Sequence, residues 1–99
     1  MPAYIVLETP VLDAEQREHY KPAADAAAHA VAVSGGRFIV SGGEIVVLDG
    51  DWQPKRLVLL EFPDLESTKQ FYESPEYREA KRLREGAPGL NMVAVEGLA

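Results

Sequence analysis

Hydrophobic positions along this chain follow a period of two in some stretches and a helical period in others, and the switches between them mark its elements. Residues 3–9 carry Tyr4-Ile5-Val6-Leu7, a run of β-formers closed by Thr9-Pro10, and predict a first strand. Asp13-Ala14-Glu15-Gln16 follows, with Asp as N-cap and Gln at the third helical position, from which its side chain reaches back to the cap N–H. The helix opened there runs through alanine-rich sequence on the stripe Tyr20, Ala24, Ala27, Val31 and stops at Ser34-Gly35-Gly36. Pro22 lies inside it. Proline removes one backbone bond and crowds the preceding turn, so a kink is predicted near Tyr20 to Ala23.

Two β-rich runs, residues 37–41 and 44–48, flank Gly42-Gly43, which fits either a tight hairpin or one long strand bent by a bulge; the bulge is the favoured reading. Turn residues fill 49–54. Residues 56–62 are nearly all apolar and predict a central strand buried on both sides. Pro63-Asp64 opens a short helix over 65–73, Ser74-Pro75-Glu76 starts another with Ser as N-cap and Pro in its first turn, and Gly86 ends it. Residues 90–96 supply the last strand. The order β-α-β-β-α-β predicts an α+β fold of the ferredoxin-like kind, a four-stranded antiparallel sheet with its helices on one face.

Such a sheet normally turns apolar residues toward its helices and polar ones toward water. With Ile5, Leu7, Phe38, Val40, Val58, Leu60, Phe62, Val93 and Val95 assigned to the helix side, the other side still holds Tyr4, Val6, Ile39, Leu57, Leu59, Leu90 and Met92. A lone domain would expose that second apolar face, and two copies packed sheet against sheet would cover it, so a homodimer is expected. The competing reading is that only the central strand is doubly buried and the others are partly wet. Among the apolar positions of the second face stand Glu8, Arg37, Ser41, Glu61 and Glu96. If Leu48 pairs with Arg56, antiparallel counting puts Glu61 opposite Gly43, which leaves open whether Arg37 neutralises Glu61.

Composition narrows the function classes. At 99 residues the chain has room for one domain, residues 1–99. A net charge of -6, with no basic tract to offset it, argues against nucleic acid. No apolar run approaches the ~18 residues of a membrane span, and residues 1–5 lack a signal peptide's basic and apolar regions, so no membrane partner and a cytoplasmic location are expected. Without cysteine there is neither disulfide nor thiolate chemistry.

The run Gly35-Gly36-Arg37-Phe38-Ile39-Val40-Ser41-Gly42-Gly43, then Val47-Leu48-Asp49-Gly50-Asp51-Trp52, Glu61-Phe62-Pro63, and Phe71-Tyr72-Glu73-Ser74-Pro75-Glu76-Tyr77 with Arg84, spans nearly the whole chain. In order and spacing it resembles the family called domain of unknown function 1330, which is similar to the dimeric α/β-barrel superfamily. The resemblance implies a fold and a sheet-to-sheet dimer, and carries no common reaction. Arg37, Glu61, Tyr72, Tyr77 and Arg84 match the family pattern, as does Trp52 on a loop; where the pattern has an arginine before the Gly-Gly pair this chain has Ser41.

Those matches are the candidate site. Glu61, on a buried strand, is the candidate general base if desolvation raises its pKa, and otherwise a salt-bridge partner at the dimer seam. Arg37 can clamp a substrate carboxylate or pair with Glu8, Glu61 or Glu96. Tyr72 and Tyr77 can line a pocket or serve as core aromatics with a wet tip. In the mixed-charge stretch Glu76 to Glu85 only Arg84 keeps a ligand-binding candidacy, through the resemblance. His19 and His29, ten residues apart on one helix, lie about 15 Å apart along its axis and cannot share a metal ion. The glycine pairs lack phosphate-cradling spacing, and no residue pattern asks for a cofactor. Three readings remain: a homodimeric module binding a small, partly apolar ligand; a cofactor-independent acid/base enzyme acting on a small carbonyl, phenolic or carboxylate compound; and a structural or interaction dimer without ligand.

Overall fold

The computed structural model describes residues 1–98. Its elements are β1 (Ala3–Glu8), α1 (Ala14–Val33), β2 (Arg37–Ser41), β3 (Leu57–Phe62), α2 (Leu65–Glu73), α3 (Pro75–Leu83) and β4 (Asn91–Glu96). The strands form one antiparallel sheet in the order β2-β3-β1-β4, the ferredoxin-like topology the sequence predicts, with the second helical segment divided between α2 and α3.

Local signals place the helices. Asp13 caps α1 by accepting from the Gln16 N–H at 2.8 Å, and Gln16 Oε1 accepts from the Asp13 N–H at 3.1 Å, closing the capping box. At the other end Gly36 N–H bonds the Val31 carbonyl at 2.9 Å and Gly35 N–H bonds that of Ala32 at 3.2 Å, a Schellman closure that needs the positive φ of Gly35, 81°. Helix α1 is continuous through Pro22; the carbonyl of Glu18, which loses its i+4 donor there, belongs to an exposed residue open to water. Its buried residues are Ala23, Ala30 and Val31, with Ala26 and Ala27 half-buried against the core; of the predicted line Val31 and Ala27 face inward and Ala24 is exposed. Asp64 caps α2 and Ser74 caps α3 with Pro75 at its first position.

The helices cover one face of the sheet. Ile5, Val58, Leu60 and Phe62 from the strands, Ala30 and Val31 from α1, Phe71 from α2, and Tyr77 and Ala80 from α3 form one buried cluster. Each large side chain fully buried here contributes about 1.5–3 kcal/mol, which makes this face the principal source of stability.

Three expectations are corrected. In β4, Ile5 pairs with Ala94 and Leu7 with Met92, so Met92 and Ala94 face the helices while Val93 and Val95, 62% and 52% exposed, lie on the open face. Both alternations of β4 are apolar, so only pairing with β1 decides between them. In β2 the bulge falls at Ile39, not at Gly42-Gly43: Phe38 opposes Leu60 and Val40 opposes Leu59, which carries Val40 to the open face and Ser41, opposite Val58, away from it. Glu96, opposite Ala3, likewise belongs to the covered side. Residues 44–48 are not a strand. The chain leaves the sheet after Ser41 and returns at Leu57, and among the described residues no strand pairs with that run.

Candidate functional site

Two groups of candidate residues emerge, on opposite sides of the sheet. On the open face Arg37 sits directly opposite Glu61 in the β2–β3 register, and its Nε donates to Glu61 Oε1 at 2.7 Å. Predicted counting had placed Gly43 there because it carried β2 past Ser41. The Arg37 guanidinium holds the Glu61 carboxyl below its ordinary pKa, outweighing partial desolvation, which acts the other way. The desolvation that would raise this carboxyl is thus outweighed by its cationic partner, and Glu61 stands as an anion paired with Arg37. At the other end of β1 Asn91 Nδ2 donates to Glu8 Oε1 at 3.3 Å.

On the helix side a chain of aromatic rings leads outward from the core. Phe62 and Phe71 have ring centroids 5.4 Å apart, Phe71 and Tyr77 4.7 Å, and Tyr77 and Tyr72 5.3 Å. Cations cap the outer end: Lys81 Nζ lies 4.7 Å from the centroid of Tyr72 and donates to its hydroxyl at 3.2 Å, while the Arg84 guanidinium lies 5.9 Å from the centroid of Tyr77. Burial pushes the Tyr77 phenol above its ordinary pKa against the opposing pull of Arg84, so the ring stays neutral at physiological pH.

This outer end opens into a cavity of about 570 Å³ between α2 and β4. Ile5, Leu90, Met92 and Ala94 give it an apolar wall. Lys69, Tyr72, Glu73, Arg84 and Asn91 give it polar ones. That mixture, an apolar wall with a few convergent polar groups, is the usual character of a small-molecule site. Leu90 and Met92 reach it because β4 has the register described above, the reverse of the predicted faces.

The structure thus brings Tyr72, Tyr77 and Arg84 together and leaves Arg37 with Glu61 on the opposite face. Trp52 is with neither: it lies between β2 and β3, 59% exposed. Lys69 was not among the predicted residues, although its place three residues before Tyr72 on one helix was a readable signal. Among the described residues no group of three or more His, Asp or Glu side chains is arranged to hold a metal ion, and no helix is long and apolar enough to cross a membrane.

Comparison with known proteins agrees with this architecture. The family model described as "Domain of unknown function (DUF1330)" matches residues 2–98. No curated protein matches in sequence. Among solved structures, a protein of unknown function from Rhodopseudomonas palustris is similar with a TM-score of 0.72 at 18% identity, over 99% of this chain and 83% of that one. A putative antibiotic biosynthesis monooxygenase from Nitrosomonas europaea is similar with a TM-score of 0.59 at 19% identity over 100% of both chains. A dimeric protein of unknown function with a ferredoxin-like fold from Bacteroides fragilis is similar with a TM-score of 0.51 at 17% identity, over 97% of this chain and 95% of that one. At these identities the likeness is one of fold.

Proposed function

The chain belongs to the DUF1330 family of domains of unknown function, and from that premise we propose that it works as a single-domain homodimeric module that binds a small, partly apolar acid in the cavity between α2 and β4. The observation that carries this reading is the cavity itself, whose apolar wall of Ile5, Met92 and Ala94 stands beside Lys69, Arg84 and Tyr72. An aromatic or short aliphatic body fits the wall, and a carboxylate suits the two cations, with Arg84 offering its planar fork of donors. Tyr77, stacked behind Tyr72 and under Arg84, is a positioning residue.

Arg37 and Glu61 have a different part, as an ion pair at the seam where two open faces meet. The open face carries Val6, Val40, Leu57, Leu59, Val93 and Val95 in one contiguous patch, the kind of surface a second copy covers. The ion pair with Arg37 occupies a carboxylate oxygen of Glu61, which favours the binding reading over an acid/base enzyme built on that residue.

Calorimetric titration with benzoate, and with benzamide as the uncharged match, tests the proposal. Benzoate is expected to bind and benzamide to bind at least tenfold more weakly, with Arg84→Ala removing most of that preference. Equal affinity for the two probes, or an undiminished preference for benzoate in Arg84→Ala, would overturn it.

A further inference from the structure

We propose that residues 44–52 are an exchange arm: in the homodimer the run Glu44-Ile45-Val46-Val47-Leu48 lies as an added strand along β4 of a second copy of this chain. The inference rests on the homodimer reading above and goes beyond it by naming the segment that crosses and the edge that receives it.

The arm is pinned at its feet and, apart from the half-buried Ile45, exposed between them. Gly42, at a φ of 75°, turns the chain out of the sheet while its N–H bonds the Leu57 carbonyl at 2.9 Å. At the returning foot Arg56 Nη1 donates to Thr9 Oγ1 at 3.1 Å, and the Thr9 N–H bonds the Arg56 carbonyl at 3.1 Å. Beyond these bonds the chain departs from its own body. A Cβ built on Gly43 or Gly50 would meet no atom within 4 Å, and Leu48 is 92% exposed. An apolar run of strong β-formers in this condition is missing a partner, because exposed Val and Leu gain nothing from water and their backbone has no ladder.

The size of the unfilled surface points to a second copy. The accessible area is 6714 Å², whereas a compact monomer of 10.9 kDa has roughly 5,600 Å². The excess of about 1,100 Å² compares with the ~800 Å² that each partner gives to a standard interface. The radius of gyration, 13.8 Å, likewise exceeds the roughly 12.6 Å expected of 99 residues. The chain therefore carries an interface's worth of surface that its own fold does not use.

The sheet offers two free edges, β2 and β4. Strand β2 carries the bulge at Ile39, a common device for blunting an edge. Strand β4, Asn91-Met92-Val93-Ala94-Val95-Glu96, has no proline, no lysine and no bulge. An unpaired β-forming run and an unprotected edge in one chain satisfy each other when two copies meet, and each protomer gives one arm and receives one. Folding back onto the chain's own β4 is disfavoured by distance, since the arm leaves beside β2 and β4 is three strand spacings of about 4.8 Å away.

The chain has no cysteine, so a pair of introduced ones reports only on itself. Four double variants combine Val46→Cys or Val47→Cys with Val93→Cys or Val95→Cys, sampling both side-chain parities and two registers. On mild oxidation at least one should run as a covalent dimer on a non-reducing gel, while Val46→Cys with Glu66→Cys, at an exposed position in the first turn of α2, should remain a single chain. A variant with residues 44–52 replaced by a short Gly-Ser turn, its fold checked by circular dichroism, should dimerise at least tenfold more weakly in sedimentation. A dimeric wild type with no covalent dimer among the four variants, or with an arm-shortened form that dimerises as tightly, overturns the exchange and leaves the dimer standing. A covalent bond within one chain overturns it in favour of the arm's own sheet. A wild type monomeric at 100 µM overturns both inferences, the homodimer first.

Discussion

The two faces of the sheet are built from the same strands and nearly the same residue types, yet they have different fates. On β3, Val58, Leu60 and Phe62 are buried against the helices, while their immediate neighbours Leu57, Leu59 and Glu61 look the other way and remain half-buried. One face is sealed by α1, α2 and α3 within the chain. The other has only cross-strand neighbours, one ion pair and a ragged margin where the chain departs after Ser41. Burial is thus settled by what a residue is packed against, and an alternation that is apolar on both phases leaves half of its apolar area for something outside the fold.

Breaking the sealed face should give the largest effect. Phe62 is 1% exposed and begins the ring chain to Phe71 and Tyr77. Phe62→Ala is expected to cost about 3–5 kcal/mol of folding stability through lost transfer energy and an unfilled cavity, a large part of what a domain of this size possesses. Urea denaturation followed by far-UV circular dichroism reads it as a lower midpoint. A loss under about 1 kcal/mol would mean that the helix-covered face is not the main core.

The matching change on the open face should spare the fold and break the assembly. Leu59→Glu places a carboxylate where Val6 and Val40 are its cross-strand neighbours. Facing water in a monomer this is tolerable. Sealed in a seam it is an uncompensated charge costing on the order of 3–5 kcal/mol, more than a hundredfold in the dissociation constant. Sedimentation at micromolar concentration should find a folded monomer, and a variant as dimeric as the wild type would remove the open face from the interface.

The same contrast explains what the sequence disclosed. Strand β1, the capping box of Asp13 and Gln16, the Ser34-Gly35-Gly36 stop and the caps at Asp64 and Ser74 were legible because each is specified within a few residues of itself. The side assignments of Val93, Val95 and Met92 were not, because both phases of β4 are apolar and register alone chooses. The Arg37–Glu61 pair was hidden for a related reason: counting back from Leu48 assumed a strand through Gly42-Gly43, whereas the chain bulges at Ile39 and leaves at Ser41. Residues 44–48 looked like a strand because β-propensity describes a residue's fitness for a pleated surface, not the presence of a neighbour. At the site, Tyr72, Tyr77 and Arg84 were legible through the family resemblance alone. The cavity that Tyr72 and Arg84 line, with Tyr77 packed behind Tyr72, needed the β4 register that the pattern could not supply.

The smallest effect belongs to the ion pair, and it sharpens the comparison because its size depends on whether the open face is wet or sealed. Arg37 holds Glu61 below its ordinary pKa, so the sign is fixed: the pair's contribution is fully present above the unfolded glutamate value of about 4.3 and is lost as pH falls through the lower folded value. Asp64 and Glu79 are also held low, by Ser67 and Arg82, so the wild type alone would show a composite acid transition. The difference between wild type and Arg37→Ala isolates the pair. It should be small and positive at pH 7 and shrink as the pH falls below the ordinary glutamate value and through the lower folded one. Repeating the measurement in the Leu59→Glu background tests the seam: exposed pairs are weakened by solvent screening, and a pair removed from water is not. The pH 7 difference should therefore be larger when the protein can dimerise than when it cannot. Equal differences in the two backgrounds would place Arg37 and Glu61 outside the buried seam, leaving the apolar positions of β1, β3 and β4 to form the interface without them.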